Sequence, residues 1–409
     1  MTTRLLFLAL LFAVPLSAQD RSARLETFFD RLDKNVDGKI SKSELEASSQ
    51  RTAWLEKADL DKDGMVNREE VLGFFEKSVP ARMPEKAEIE VVRTSALPTD
   101  TKITEDGLKA AEKYSADQEG HGFLVMIDGK VVRESSANGW DPEKGHRLAS
   151  GTKSFSAGIL ALAVKDGLLS VEDKVSDTIT EWKADERLSD ITIHDLLNLT
   201  SGIDPGENGR VPSYAEAVDV AALSGRGEKF RYGPSAFQIF GELIRRELNS
   251  REDLPFEDPL AYLEARVFEP IGLEYADWRR DRDGRPHLPS GAFLTVSEWA
   301  KYGQFLLQGG MWKEEQLVDR ETLKLAADPG SEVAAGYGLT FWLMDGPAVA
   351  GRPYLEGGYM AAGAGKQRLI VLPEANVVVV RQGESRQFDN SEFLGKLFSG
   401  QTATSLSLP

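Results

Sequence analysis

Apolar residues in this chain recur in two rhythms. Leu25, Phe28, Phe29 and Leu32 fall at helical spacing, and Val71, Leu72, Phe74 and Phe75 make a second such run. These predict short helices at either end of a small module over residues 19–80. A longer helix is expected at about Glu105 to Asp117. The second rhythm is that of strands. Phe123 to Ile127, a turn at Asp128-Gly129 and Lys130-Val131-Val132 read as a hairpin. Lys366 to Leu372 and Asn376 to Arg381 read as another, around Pro373. Between the hairpins the pattern is mostly helical. Strands at both ends of a helical middle predict an α+β domain over residues 106–400, an antiparallel sheet with a helical lobe. Residues 81–105 hold Pro84 and Pro98 without a sustained period and read as a linker, with one strand at Ile89 to Val92.

A chain of 409 residues is too long for one ordinary core, in agreement with two domains. Its formal net charge of −17 sets it against nucleic acid and anionic lipid as partners. It has no cysteine, which excludes a thiol nucleophile, a Cys-ligated zinc, disulfides and a lipid anchor on cysteine. Residues 1–18 read as a secretory signal. Arg4 supplies the positive start, Leu5 to Val14 the apolar core, and Pro15 with Ser17-Ala18 the cleavage region. A secreted or periplasmic location is therefore expected. No later run reaches the ~18 apolar residues of a membrane helix, so no integral membrane segment is expected after signal cleavage.

The acidic balance gains a specific meaning in two segments. The first starts at Asp33 and runs through Asn35, Asp37, Gly38, Lys39 and Ser41 to Glu44. The second starts at Asp59 and runs through Asp61, Asp63, Gly64, Met65 and Asn67 to Glu70. Both fit the twelve-residue calcium loop of an EF-hand. Side-chain oxygens at positions 1, 3 and 5 wrap one hemisphere of the ion, and glycine at position 6 permits the sharp turn. The carbonyls of Lys39 and Met65 follow, and Glu44 and Glu70 close the cage. Ile40 and Val66 are expected to pair in a strand bridge between the loops. Two Ca2+ sites are predicted and no organic cofactor. The second loop, with carboxylates at Asp59, Asp61, Asp63 and Glu70, is expected to bind more tightly than the first, which has Asp33, Asp37 and Glu44.

The candidate chemistry lies at Ser150-Gly151-Thr152-Lys153, opening an apolar helix through Ile159, Leu160, Leu162 and Val164. One helical turn separates Ser150 from Lys153, so both share a face. A serine hydroxyl needs an adjacent base, and a desolvated lysine can lose enough basicity to serve. The helix N-terminus adds a favourable field for a developing anion.

With its flanks, this segment resembles the β-lactamase and serine esterase family related to class C enzymes and penicillin-binding proteins. The resemblance rests on Arg147 to Phe155, Asp166 to Val175, Ile193 to Gly202, Pro289 to Phe293, Trp299 to Gly303 and Tyr337 to Trp342. It covers about residues 106–395. It implies an acyl-enzyme on Ser150, with Lys153 and Tyr232, from Phe230-Arg231-Tyr232, sharing the proton. It also implies an oxyanion hole from the N–H groups of Ser150 and Ala364, the latter within Ala362-Gly363-Ala364-Gly365-Lys366-Gln367. That stretch replaces the family's Lys-Thr-Gly and resembles members that cleave esters and linear amides, including nylon-oligomer hydrolases. Pro234 stands where the family often has an amide-holding Asn. A small ester, amide or peptide-like substrate is expected, with β-lactams poor.

A Ser-His-Asp triad is the competing design. No Gly-x-Ser-x-Gly elbow supports it, and no His-Glu-x-x-His suggests catalytic zinc. His194 sits in a segment the family uses structurally, and His121, His146 and His287 read as surface or capping residues. Two alternatives stay open: a calcium-binding protein on an inactive hydrolase scaffold, and a D-amino-acid peptidase or β-lactamase acting on cell-wall-type substrates.

Overall fold

The computed structural model describes residues 29, 32–35, 37–47, 58–71, 88–344 and 352–398. The secretory segment lies outside them, as do Leu25, Phe28, Leu72, Phe74 and Phe75. The chain falls into two compact units, Met1–Pro84 and Glu85–Pro409.

In the first unit, β1 (Lys39–Ser41) leads into helix α1 (Lys42–Ala47) and pairs antiparallel with β2 (Met65–Asn67). Ile40 stands opposite Val66 as the sequence predicts, and both are fully buried with Phe29 and Leu32. Two loops thus share one small apolar core.

The second unit begins with β3 (Ile89–Thr94), helix α2 (Glu105–Asp117), β4 (Gly120–Ile127) and β5 (Lys130–Ala137). Thr104 caps α2 by accepting from Gly107 N, with Glu105 and Asp106 in its first turn. After a helical stretch that includes α3 (Phe155–Lys165), α4 (Ser235–Asn249) and α5 (Val296–Leu307), the chain returns to the sheet. It does so through β6 (Trp342–Met344), β7 (Gly358–Gly363), β8 (Gln367–Leu372) and β9 (Val377–Gly383), and ends in α6 (Asn390–Leu397). The seven strands run antiparallel in the order β6-β7-β8-β9-β4-β5-β3. The N-terminal hairpin therefore sits beside the C-terminal one. The strand foreseen inside the linker, β3, is an edge strand of this sheet and so belongs to the second unit.

Both faces of the sheet are covered. Phe123, Val125 and Ile127 of β4, with Val377 and Val379 of β9, join the core formed with α2 and α6. The intervening Leu124, Met126, Val378 and Val380 face the larger core, shared with α3, α4 and α5. This two-sided burial explains why β9 reads as an unbroken valine run and not as an alternation. The larger core carries the helical lobe, and the cleft opens beside it near the ends of β7 and β8.

Candidate active site and calcium loops

Ser150 does not begin an α-helix. Ala149–Ser154 form a 3-10 segment, and α3 starts at Phe155. The segment is held from several sides. Gly151 N donates to Leu148 O, Thr152 Oγ1 donates to Ala149 O at 2.7 Å, and Ala292 N donates to Thr152 Oγ1 at 3.2 Å. Ala149 adopts φ of +49°, a left-handed conformation costly for a residue with a Cβ, directly before Ser150.

Lys153 comes back under Ser150, with Nζ 3.3 Å from Oγ and donating to Pro289 O at 3.1 Å. Only 4% of Lys153 is exposed. Its ammonium position lies 4.9 Å from the Tyr232 ring centre and 5.3 Å from that of Phe237, and no carboxylate pairs with it among the described residues. Burial drives its pKa down to about 7, so free amine is within reach near neutrality. Tyr232 lies within hydrogen-bonding reach of the Ser150 hydroxyl. Burial raises its pKa, while the Ser150 hydrogen bond and the charge of Arg368 oppose that rise.

Ser150 and Tyr232 open into a cleft of about 270 Å³, walled by Trp342, Arg368, Ser385 and the run 362–366. Trp342 stacks on Tyr232 with ring centres 5.5 Å apart. Ala364 lies in this wall, one residue past the end of β7. β7 is the second strand of the sheet, with the three-residue β6 outside it. A Cβ on Gly363 would stand 2.0 Å from Leu148 O and 3.1 Å from Gly151 N, so β7 rests directly on the serine's own turn. The four residues predicted from sequence, Ser150, Lys153, Tyr232 and Ala364, therefore converge. Pro234 is not among the cleft residues; it precedes α4 as its N-terminal cap position.

Sequence reading missed three features. Arg368 and Lys366 line the cleft, and Arg381 lies directly across the ladder from Arg368. Arg368 and Arg381 are almost wholly buried, and neither meets a carboxylate among the described residues. Two arginines bracketing the otherwise apolar strands Leu369–Leu372 and Val377–Val380 were the available signal. The histidines also need correction. His146 is buried and His121 half-buried, with His121 Nδ1 3.1 Å from His146 Nε2. His146 Nδ1 lies 3.1 Å from Arg147 O. A carbonyl only accepts, so His146 carries its proton on Nδ1, and its Nε2 accepts a hydrogen bond from His121 Nδ1–H. Both rings pack on Trp140.

In the first unit, Gly38 and Gly64 take φ of +82° and +84° at the sharp turns. Glu44 reaches back to accept from Lys34 N at 2.8 Å and Ser41 N at 2.9 Å, and Glu70 does the same with Leu60 N at 2.8 Å and Asn67 N at 2.9 Å. Carboxylate oxygens of Asp59, Asp61 and Asp63 lie within 4.8 Å of one another, a hard-oxygen cluster suited to Ca2+. Asp33, Asn35, Asp37, the Lys39 carbonyl, Ser41 and Glu44 would hold the first ion. Asp59, Asp61, Asp63, the Met65 carbonyl, Asn67 and Glu70 would hold the second. The Lys39 ammonium meanwhile pairs with Asp63 of the other loop.

The Beta-lactamase family model matches residues 108–387. The chain belongs to the beta-lactamase family. The EF hand model matches residues 25–47 and 51–74. Solved structures of the beta-lactamase fold resemble it at low identity. EstCE1, described as a hydrolase with promiscuous acyltransferase activity, has TM-score 0.58 and 16% identity, covering 72% of this chain and 98% of its own. A family VIII carboxylesterase gives 0.57 and 14%, covering 76% and 99%. A penicillin-binding protein homolog from Caulobacter crescentus gives 0.56 and 17%, covering 73% and 94%. No curated protein matches the chain. Among the described residues, no helix is long and apolar enough to cross a membrane.

Proposed function

We propose that this protein is an exported serine hydrolase that cleaves ester or amide bonds through an acyl-enzyme on Ser150, with calcium in its two N-terminal loops. The observation that carries the reading is Lys153, buried, near neutral pKa and 3.3 Å from the Ser150 hydroxyl. Free amine at Lys153 accepts the Ser150 proton as Oγ attacks the carbonyl carbon. The N–H groups of Ser150 and Ala364 stabilise the oxyanion. Tyr232 passes a proton to the departing alcohol or amine, and water then releases the acyl group from Ser150. Calcium would supply a fixed positive charge that closes each acidic loop. Export rests on Arg4 and the apolar Leu5 to Val14. Fluorophosphonate treatment followed by peptide mapping tests the reading. A single adduct on Ser150, lost in Ser150→Ala, is expected; an adduct that survives the substitution overturns it.

One observation favours the peptidase alternative. In a chain of net charge −17, the cleft presents Arg368 and Lys366, and among the described residues no carboxylate pairs with them. A buried guanidinium without a counter-ion is costly unless a substrate supplies one. This favours substrates with a free carboxylate near the scissile bond, such as peptides or N-acyl amino acids. Esters with and without a terminal carboxylate, assayed on wild type and Arg368→Met, separate the two. A preference for the anionic ester that vanishes in the variant supports this second reading. Equal rates leave the neutral-ester reading in place.

A further inference from the structure

The turn Gly363–Lys366 is gripped from behind by two buried side chains. Gln367 Nε2 donates to Ala364 O at 3.2 Å and to Gly383 O, while its Oε1 accepts from Gly383 N at 3.1 Å. Arg381 Nη1 donates to Gly365 O at 2.8 Å and to Lys366 O at 3.0 Å, and Nη2 donates to Gln118 O at 2.6 Å. Three successive carbonyls, those of Ala364, Gly365 and Lys366, are thereby taken on the interior side. Among the described residues, the N–H groups of Ala364, Gly365 and Lys366 donate to no protein acceptor, although all three residues line the cleft.

A trans peptide holds its C=O and N–H on opposite sides. Fixing the carbonyls of Ala364 and Gly365 inward turns the next N–H groups, of Gly365 and Lys366, the other way. Left-handed φ values of +82° at Gly365 and +62° at Lys366 make this a tight turn.

The grip is expensive. Arg381 is fully buried with Nε unpartnered, faces Arg368 on the neighbouring strand, and has its pKa pushed down to about 9 by burial first and Arg368 second. A three-residue hairpin loop closes without such help. What does need it is a set of donors that must not relax when negative charge develops on a substrate oxygen.

We infer that Gln367 and Arg381 are positioning residues for the hydrolytic step, holding the turn by its carbonyls so that Ala364 keeps its place in the cleft wall and the N–H groups of Gly365 and Lys366 stay turned away from the interior, toward the oxyanion. The inference rests on the acyl-enzyme reading above. Neither side chain is among the cleft-lining residues, so both act through the backbone of the turn.

The test compares full-length wild type, Gln367→Met, Gln367→Glu and Arg381→Met on a short-chain ester. Alongside turnover it measures binding of an alkyl boronic acid, which forms a tetrahedral adduct on serine. Loss of an aligned oxyanion donor costs about a hundredfold, and a donor left in place but loosely held should cost about tenfold or more. Gln367→Met is expected to lower kcat about tenfold with KM within twofold, and to weaken the boronic acid by the same factor. Gln367→Glu, which keeps an acceptor for Gly383 N but loses the donor to Ala364 O, should behave alike. A thermal melt accompanies each variant; if Arg381→Met does not fold, the two Gln367 variants decide. A folded Gln367→Met with wild-type kcat and boronic acid affinity overturns the positioning role, while fluorophosphonate labelling of its Ser150 would leave the hydrolase reading standing. Absence of labelling in the wild type would overturn both.

Discussion

Lys153 Nζ lies 3.3 Å from Ser150 Oγ and finds its other partner in the Pro289 carbonyl, with aromatic rings around it and, among the described residues, no carboxylate paired with it. Two consequences follow for the pH dependence of rate and of stability.

Acylation should rise with pH through about 7 and level off above it, because only the free amine of Lys153 accepts a proton. Lys153→Ala should cost at least a hundredfold in the acylation rate, within the ~10²–10⁴ range of general-base contributions. Stopped-flow acylation with an activated ester checks this; a loss below tenfold, or a flat profile in wild type, would point to another base.

The same lysine should weaken the fold. Its folded pKa of about 7 lies below the ordinary 10.5, so the unfolded chain binds more protons and stability rises with pH between those values. The penalty is full below about pH 7 and gone by about 10.5. Lys153→Met should therefore raise stability at pH 7 by on the order of 4 kcal/mol while removing activity. Urea unfolding at pH 7 and pH 10 reads the effect; a variant no more stable than wild type at pH 7 would be the wrong outcome.

Tyr232→Phe should lower kcat far more than it raises KM, because the phenol acts on the proton in flight and not on the bound ground state. Steady-state kinetics on a short-chain ester decides. Normal kcat with raised KM would make Tyr232 part of the pocket wall.

The His121–His146 pair predicts acid sensitivity of a different origin. Burial, and after it His146, lowers His121 to about 4, and burial lowers His146 too, against the favourable charge of Glu384. Arg381 disfavours the charged form of both, and Lys144 that of His146. Both rings are held neutral in the fold, so the stability they contribute is present above about 6.5 and is lost as pH falls toward 4. His121→Gln should flatten that slope in chemical denaturation between pH 7 and pH 4. An unchanged slope would assign the acid sensitivity to other groups.

Calcium should stabilise the first unit by about 2.7 kcal/mol per site at a hundred times the dissociation constant, and should change ester turnover less than fivefold. The pairing of Lys39 with Asp63 adds a refinement, since an ammonium sits on a carboxylate that the second ion would use. Lys39→Met keeps the carbonyl that loop one needs and should tighten loop two about three- to tenfold at low salt. Calorimetric titration of the chelated full-length protein measures both sites; equal loop-two affinity in the variant would remove Lys39 from the account.

What the sequence revealed follows from what is local in it. The calcium loops, the two hairpins and Ser150 with Lys153 are each written within a dozen or so residues, where spacing dictates geometry. Tyr232 and Ala364 were legible only through flanking motifs, because nothing near them in the chain says that they meet Ser150. The 3-10 turn at Ser150 escaped notice because its packing against β7 and Ala292 is non-local. Strand β3 was legible as a strand, but nothing in its short, half-apolar patterning said that it joins the sheet as an edge. Arg368 and Arg381 show the limit best. Each looks like an ordinary strand residue facing water until the sheet is assembled and water is found to be elsewhere.

Gly363 has no space for even a methyl group between itself and the Leu148 carbonyl. The Ser150 turn and the turn after β7 are therefore joined at a point that tolerates no variation, and any drift of one drags the other with it. A lineage, or an experimenter, seeking a new specificity has to reshape the rest of the cleft lining, at Trp342, Arg368 and Ser385. Libraries that randomise residue 363 should yield glycine among the survivors and little else.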